Sequence, residues 1–514
     1  MRIGYVLEWL VRSFRSESED VKADILPAKP LYSNRTIKME TTLRPSTCLF
    51  AATGLLATLP AFAQDSRLAV EQGLLPAVAL QGTAPVKRKL ADEMARLGVP
   101  GVSIAVIHGG GIEWAKGYGV VTPGGAPVTA GTLFQAASIS KPVTAMAALN
   151  MVERGQFALD QDINSYSSRW KLPNNDPSGT PATLRQLLSH TAGTTVHGFP
   201  GYEAGKPVPT LVQLLNGAAP SNTRGVHVST RPGSTWRYSG GGYEVVQYMM
   251  QERGKADFAA LMQETVLQPV GMQDSTYAQP LPPALLARAA LPHDSQGKPL
   301  TGGPHIYPEQ AAAGLWTTPS DLARFAIELR QSAAGQSNKV LSQSMTQLML
   351  SPVRANFGLG LQVEGEGQTQ TFSHGGSNAG YRTTMVAYTE RGDGVVVMTN
   401  GDRGDELAGE VVRAVAAAHN WPTQRMKEKR AVAPSAAKLA AMPGKYSSAA
   451  GDFTIIREGD GLVVELPDGQ REPLYAGAGE TWFILSRDNE LRFDGAGKGR
   501  LVAPWGEIPF ARAK

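Results

Sequence analysis

Cysteine is nearly missing from this chain: 514 residues hold one, Cys48. Because Cys48 sits in a short apolar run near the amino terminus, the rest of the chain has no disulfide, no thiol nucleophile and no cysteine metal site. Long apolar runs are also scarce. The strongest, residues 48–59, is too short to span a bilayer, and no transmembrane span follows it. An excess of one charge is lacking as well, with 49 Lys and Arg against 45 Asp and Glu. No block of like charge marks a nucleic-acid footprint or a polybasic membrane patch, so neither partner is indicated. No repeat of fixed period occurs. What the chain has is 42% hydrophobic residues with 56 Gly and 35 Pro, the composition of a turn-rich globular protein, long enough for two or three domains.

Residues 39–63 predict a secretory signal in an unusual place. Arg44 supplies the positive start, residues 48–59 the apolar stretch, and Ala61-Phe62-Ala63 before Gln64 the small-x-small cleavage pattern. Cleavage after Ala63 and a periplasmic or secreted location are therefore expected. Residues 1–38 carry no apolar periodicity and read as an upstream extension from a start codon placed too early. The rival is a cytoplasmic extension before an uncleaved anchor.

Residues 86–97 place Leu90, Met94 and Leu97 at helical spacing before Gly98, and residues 102–107 and 112–118 flank three glycines as a hairpin. Strand-like runs return at 371–374, 381–388 and 394–398, followed by an amphipathic helix over 405–419. The pattern predicts an α+β fold: a mostly antiparallel sheet flanked by helices, with an α-rich insertion between its halves. A Pro- and charge-rich connector over 422–435 then separates a domain at 64–421 from short strands over 436–514, read as a small β-barrel-like domain.

Ser138-Ile139-Ser140-Lys141 opens an apparent helix. A Ser at a helix start shares a face with a Lys three residues on, and a Lys whose pKa is lowered by burial can act as a base. Ser-x-x-Lys also occurs at Ser168, Ser295 and Ser435, but there it lies in polar turns or, at Ser435, where a helix cap is the simpler reading. Taken alone, Ser138 suits a cap equally well. Tyr238-Ser239-Gly240 is a second candidate, since a loop tyrosine can relay a proton, although a tyrosine is more often packing. The third is Ser373-His374-Gly375-Gly376-Ser377, a strand whose glycines allow close approach to its backbone.

In order and spacing, these three elements resemble the serine β-lactamase and penicillin-binding-protein superfamily, in the branch of class C β-lactamases, DD-peptidases, D-aminopeptidases and esterases. Val99-Pro100-Gly101, Leu187-Leu188-Ser189-His190-Thr191-Ala192-Gly193 and Gly314-Leu315-Trp316-Thr317-Thr318-Pro319-Ser320-Asp321-Leu322 add to the likeness, which covers about residues 85–420. The resemblance implies that Ser138 attacks a carbonyl while Lys141 and Tyr238 move its proton, and that water releases the acyl-enzyme. It also implies an oxyanion hole from the backbone N–H groups of Ser138 and Ser377. His374, Gly375 and Gly376 would line the pocket, Arg382 would hold an acidic group, and no metal or cofactor is called for.

Tyr238-Ser239-Gly240 lacks a third-place Asn, and His374-Gly375-Gly376 replaces Lys-Thr-Gly. These departures favour an esterase, D-aminopeptidase or DD-peptidase-like activity on a small-molecule or peptide acyl substrate over efficient β-lactamase action. The alternative is a non-hydrolytic penicillin- or cell-wall-peptide-binding protein. A nucleophile elbow at residues 375–379 lacks the helix it requires. His190, His197 and His227 have no zinc-like spacing and read as satisfied loop histidines. Residues 194–202 and 304–313 are expected to act as specificity loops.

Overall fold

The computed structural model describes residues 61–513 apart from 450, 468, 496, 504 and 505. The expected signal segment lies outside the described residues except for its last three, which open the helix Ala61–Gln72. Among the described residues no helix is long and apolar enough to cross a membrane.

Six antiparallel strands form the main sheet, in the order Gly111–Gly119, Gly101–His108, Gly394–Thr399, Tyr381–Tyr388, Thr371–Asn378, Gln362–Glu364. The early and late parts of the chain meet at its centre, where Val102 faces Thr399 and Ile104 faces Val397. Side chains alternate along a strand, and here both faces are covered. Val102, Ile104, Val106, Val395 and Val397 pack with Leu407, Val411 and Trp421 on one side. Ala105, Ile107, Val396 and Met398 pack with Leu322, Phe325 and Leu329 on the other. Each fully buried aliphatic side chain stabilises the fold by about 1.5–3 kcal/mol. The unbroken apolar runs in these strands follow from that double burial.

The insertion contributes two helices buried along most of their length, Ser140–Glu153 and Gly240–Gly254. Helices buried on most sides belong in a core; Lys141 is the second residue of the first, and Tyr238 stands two residues before the second.

Strands from Gly444–Ser448 to Gly506–Arg512 close an eight-stranded barrel, the first strand pairing with both the second and the last. Tyr446, Phe453, Phe493 and Phe510 fill it with ring contacts of 5.0–5.7 Å. Ser435 caps the helix Ala436–Ala441 before it. The connector is more ordered than its composition suggests. Its strand Lys427–Lys429 pairs in parallel with Val78–Leu80, and Asp488 of the barrel holds Lys427 and Lys429 at 2.6 and 3.0 Å. Phe483 packs on Ala77 and Val78, so the barrel is docked on the larger domain at the place where the chain enters and leaves it.

Candidate active site

The strand Phe134–Gln135 pairs with Trp316–Thr317 and delivers the chain to a tight turn. Ala137 stands at φ 49°, a left-handed conformation that costs a non-glycine residue about 1–2 kcal/mol. Ser140 pins this turn: its Oγ donates to Ala137 O at 2.5 Å and accepts from Leu315 N at 3.0 Å. Helical structure thus begins as a 3₁₀ turn over Ala137–Ile139, and the α-helix starts at Ser140 rather than Ser138. Ser138 is left partly exposed between buried neighbours.

Lys141, 2% exposed, lies with Nζ 3.0 Å from Ser138 Oγ and donates to Ala312 O at 2.9 Å. No carboxylate pairs with it among the described residues. Burial lowers its pKa to about 7, with Glu244 acting in the opposite direction. Tyr238 precedes the cap of the helix Gly240–Gly254, where Ser239 Oγ accepts from Gly242 N. Its ring lies 4.9 Å from Lys141 Nζ. Burial pushes its hydroxyl far above the ordinary range, a hydrogen bond with Ser138 opposing, so the phenol stays protonated. The structure therefore brings Ser138, Lys141 and Tyr238 together.

The strand Thr371–Asn378 supplies the opposite wall. Only Thr371, Phe372 and Ser373 pair with the outer strand Gln362–Glu364, which leaves the edge from His374 onward facing the Ser138 turn. Gly376 is required there, because a Cβ would stand 2.2 Å from Ala136 O; one on Gly375 would meet only Thr383 O at 3.9 Å. The close approach the glycines permit is thus to the Ser138 turn at Gly376 and to open space at Gly375. Ser377 is exposed beside them.

One expected role changes in this setting. Arg382 is committed elsewhere: its Nη1 donates to Asn378 O and Tyr381 O at 2.8 Å each and meets Asp402 at 3.0 Å. It is not a free cation for substrate. His374 is a buried neutral ring, its pKa lowered to about 3 by burial and by Lys141, with Nδ1 2.6 Å from Gly375 O.

His190 and His197 are not the satisfied loop residues expected. His190 lies 4.2 Å and His197 5.1 Å from the Tyr238 ring. His190 Nδ1 accepts the Ser239 N–H at 3.1 Å, while His190 Nε2, His197 Nδ1 and His374 Nε2 lack partners. Burial holds His190 well below and His197 at about 4, so the wall is uncharged at neutral pH. Phe357 and Trp236 extend it. His227 has no ring contact with Tyr238 among the described residues, and no group there of three or more His, Cys, Asp or Glu could hold a metal. The Leu187 to Gly193 stretch was the sequence signal that put His190 near the site.

Residues 310–313, expected in a specificity loop, form a short helix beneath Lys141. Its carbonyls hold Lys141 at Ala312, Thr144 at Ala311 and Asn378 at Ala313. The N–H groups of Ala311 and Ala312 donate to Gln247 Oε1 and Glu244 Oε1.

An antiparallel sheet covered by helices, interrupted by a helical insertion that carries Ser138, Lys141 and Tyr238, defines a protein of the β-lactamase and transpeptidase fold. The chain belongs to the Beta-lactamase family, whose model matches residues 86–420, a family of serine hydrolases. It is 30% identical over 212 residues to esterase EstB of Burkholderia gladioli, covering 39% of this chain and 52% of the esterase, about half its length. It is 23% identical over 401 residues to penicillin-binding protein 4* of Bacillus subtilis (strain 168), covering 71% and 84%. The octameric penicillin-binding protein homologue from Pyrococcus abyssi superposes with a TM-score of 0.57 at 21% identity, over 82% of this chain and 98% of that one.

Proposed function

We propose that this protein is a serine hydrolase working through an acyl-enzyme, and that it prefers carboxylic esters with an uncharged acyl group to acidic peptides and β-lactams. The observation that carries the reading is the buried, unpaired Lys141 amine 3.0 Å from the partly exposed Ser138 hydroxyl. A neutral amine takes the Ser138 proton as Oγ bonds to the carbonyl carbon, and the carbonyl electron pair moves onto its oxygen. The N–H groups of Ser138 and Ser377 serve that oxyanion. Tyr238, protonated and hydrogen-bonded to Ser138, hands a proton to the departing alkoxide and is reprotonated from Lys141. Water repeats the sequence in reverse to free the acid.

The substrate preference rests on the pocket's charge. With Arg382 tied to Asp402 and the three histidines neutral, nothing among these residues offers a carboxylate a fixed cation. The likeness to an esterase supports the same choice. We place the hydrolase unit at 64–421, a linker at 422–435 and the barrel unit at 436–514, with export directed by residues 39–63.

Intact-mass analysis after a fluorophosphonate, with peptide mapping and a Ser138→Ala control, tests the reading. One adduct, confined to Ser138, is expected; folded protein that takes none overturns the hydrolase and leaves the binding role. p-Nitrophenyl butyrate should be cleaved with a higher kcat/KM than the carboxylate-bearing β-lactam nitrocefin, and the reverse order removes the ester preference. Because Lys141 must be neutral to act, the labelling rate should fall as pH drops through about 7.

A further inference from the structure

One histidine grips the chain on both sides of Tyr238. Arg237 N donates to His190 O at 2.8 Å, and Ser239 N donates to His190 Nδ1 at 3.1 Å. Between these two bonds the imidazole lies against the Tyr238 ring, with centroids 4.2 Å apart. His190 and Ser239 are both buried, so without the imidazole the Ser239 N–H would be left unsatisfied in a dry place. The rest of the turn is received by the same loop. Ser239 Oγ donates to Thr195 O at 2.7 Å, Gly240 N to His197 O at 2.9 Å and Gly241 N to Val196 O at 3.0 Å. Two residues of this loop stand in the left-handed region, His190 at φ 59° and Val196 at φ 64°, the second rare for a β-branched side chain. Strain of this kind persists where surrounding bonds over-determine it, and it gathers at active sites. The loop is anchored in turn, since Thr191 N and Ala192 N donate to Gln186 O of the helix Leu184–Leu188 at 2.8 and 3.0 Å.

We infer that His190 is a positioning residue: by holding Arg237 and Ser239 and stacking on the ring between them, it fixes Tyr238 beside Lys141 and Ser138. It acts through Tyr238 and not on the substrate. Accepting from Ser239 requires a bare Nδ1, so the neutral ring carries its proton on Nε2, an atom with no partner among the described residues. Of the two side-chain contacts the acceptor matters more. Ring contact alone sets a separation, whereas the directional bond from Ser239 sets where the phenol lies along the imidazole. Histidine also suits the backbone here, being one of the few residue types enriched at positive φ. A proton-transferring group displaced by about 1 Å can cost a hundredfold in rate, and the Tyr238 hydroxyl is such a group.

This inference rests on the acyl-enzyme reading, and the test separates the two. His190→Phe keeps a ring and loses the acceptor. His190→Asn loses the ring but places Oδ1 where Nδ1 stood and tolerates a positive φ. On p-nitrophenyl butyrate, His190→Phe should lower kcat about a hundredfold with KM within about twofold, and His190→Asn should recover most of that loss. In a Tyr238→Phe background, adding His190→Phe should cost less than about twofold more, because the hydroxyl it positions is gone. Equal losses in the two His190 variants, or a His190→Phe loss that persists in full without the Tyr238 hydroxyl, overturn the inference. Should His190→Phe not fold, nitrogen NMR of histidine-labelled wild type decides. The resonances that vanish in His190→Asn should belong to an Nε2–H tautomer, and an Nδ1–H tautomer overturns the grip on Ser239. A wild-type protein that neither labels at Ser138 nor cleaves the ester defeats the hydrolase reading instead, while the tautomer still tests the grip.

Discussion

Lys141→Met should lower kcat/KM on an activated ester by on the order of a thousandfold, the scale of losing a general base, and should raise the melting temperature. Both effects come from the same burial. The folded-state pKa of about 7 lies below the usual lysine value of 10.5, so the unfolded chain binds more protons between those values and stability rises with pH across that window. Below it the cost of burying the ammonium is fully present; above it the cost is gone. Methionine removes that cost, so the gain in melting temperature should be larger at pH 6 than at pH 10. Parallel melting curves and initial rates check this. A variant that keeps near-wild-type kcat/KM would remove Lys141 from the chemistry.

Gly376→Ala is expected to cost about 1–3 kcal/mol in urea unfolding, the range for overpacking a filled interior, and most of the Ser138 labelling. The added Cβ would stand 2.2 Å from Ala136 O and 3.2 Å from Ala137 Cβ. Neither side can yield easily. The strand is paired along its other edge with Tyr381–Tyr388, and the turn is pinned through Ser140 to Leu315. Gly375→Ala, one residue away with open space before it, should unfold at the wild-type urea concentration. Equal stability losses in the two variants would show that the close approach is unimportant.

The sheet was legible in the sequence because its central strands are buried on both faces and write themselves as unbroken β-branched runs. Ser138 and Lys141 were legible because their geometry is local, three residues apart on one helical turn. What escaped was set by distant partners. The φ of 49° before Ser138 falls on an alanine, which carries no mark of a left-handed turn, so the helix start was read two residues early. The acceptor of Lys141 is Ala312, 171 residues away. Arg382 looked free because Asp402, which holds it, enters from beyond the next strand.

The strap between domains has a bearing on how the chain is made. Val78–Leu80 pairs with Lys427–Lys429, and Val78 N also donates to Leu485 O at 3.0 Å. Synthesis runs from the amino end, and pairings between distant segments form slowly. The Val78–Leu80 segment therefore leaves the ribosome long before either partner exists, an unpaired β edge of the kind that invites association with other chains. That hazard ends only once Lys427–Lys429 and then Leu485 have been made, so the finished edge waits on the last part of the chain.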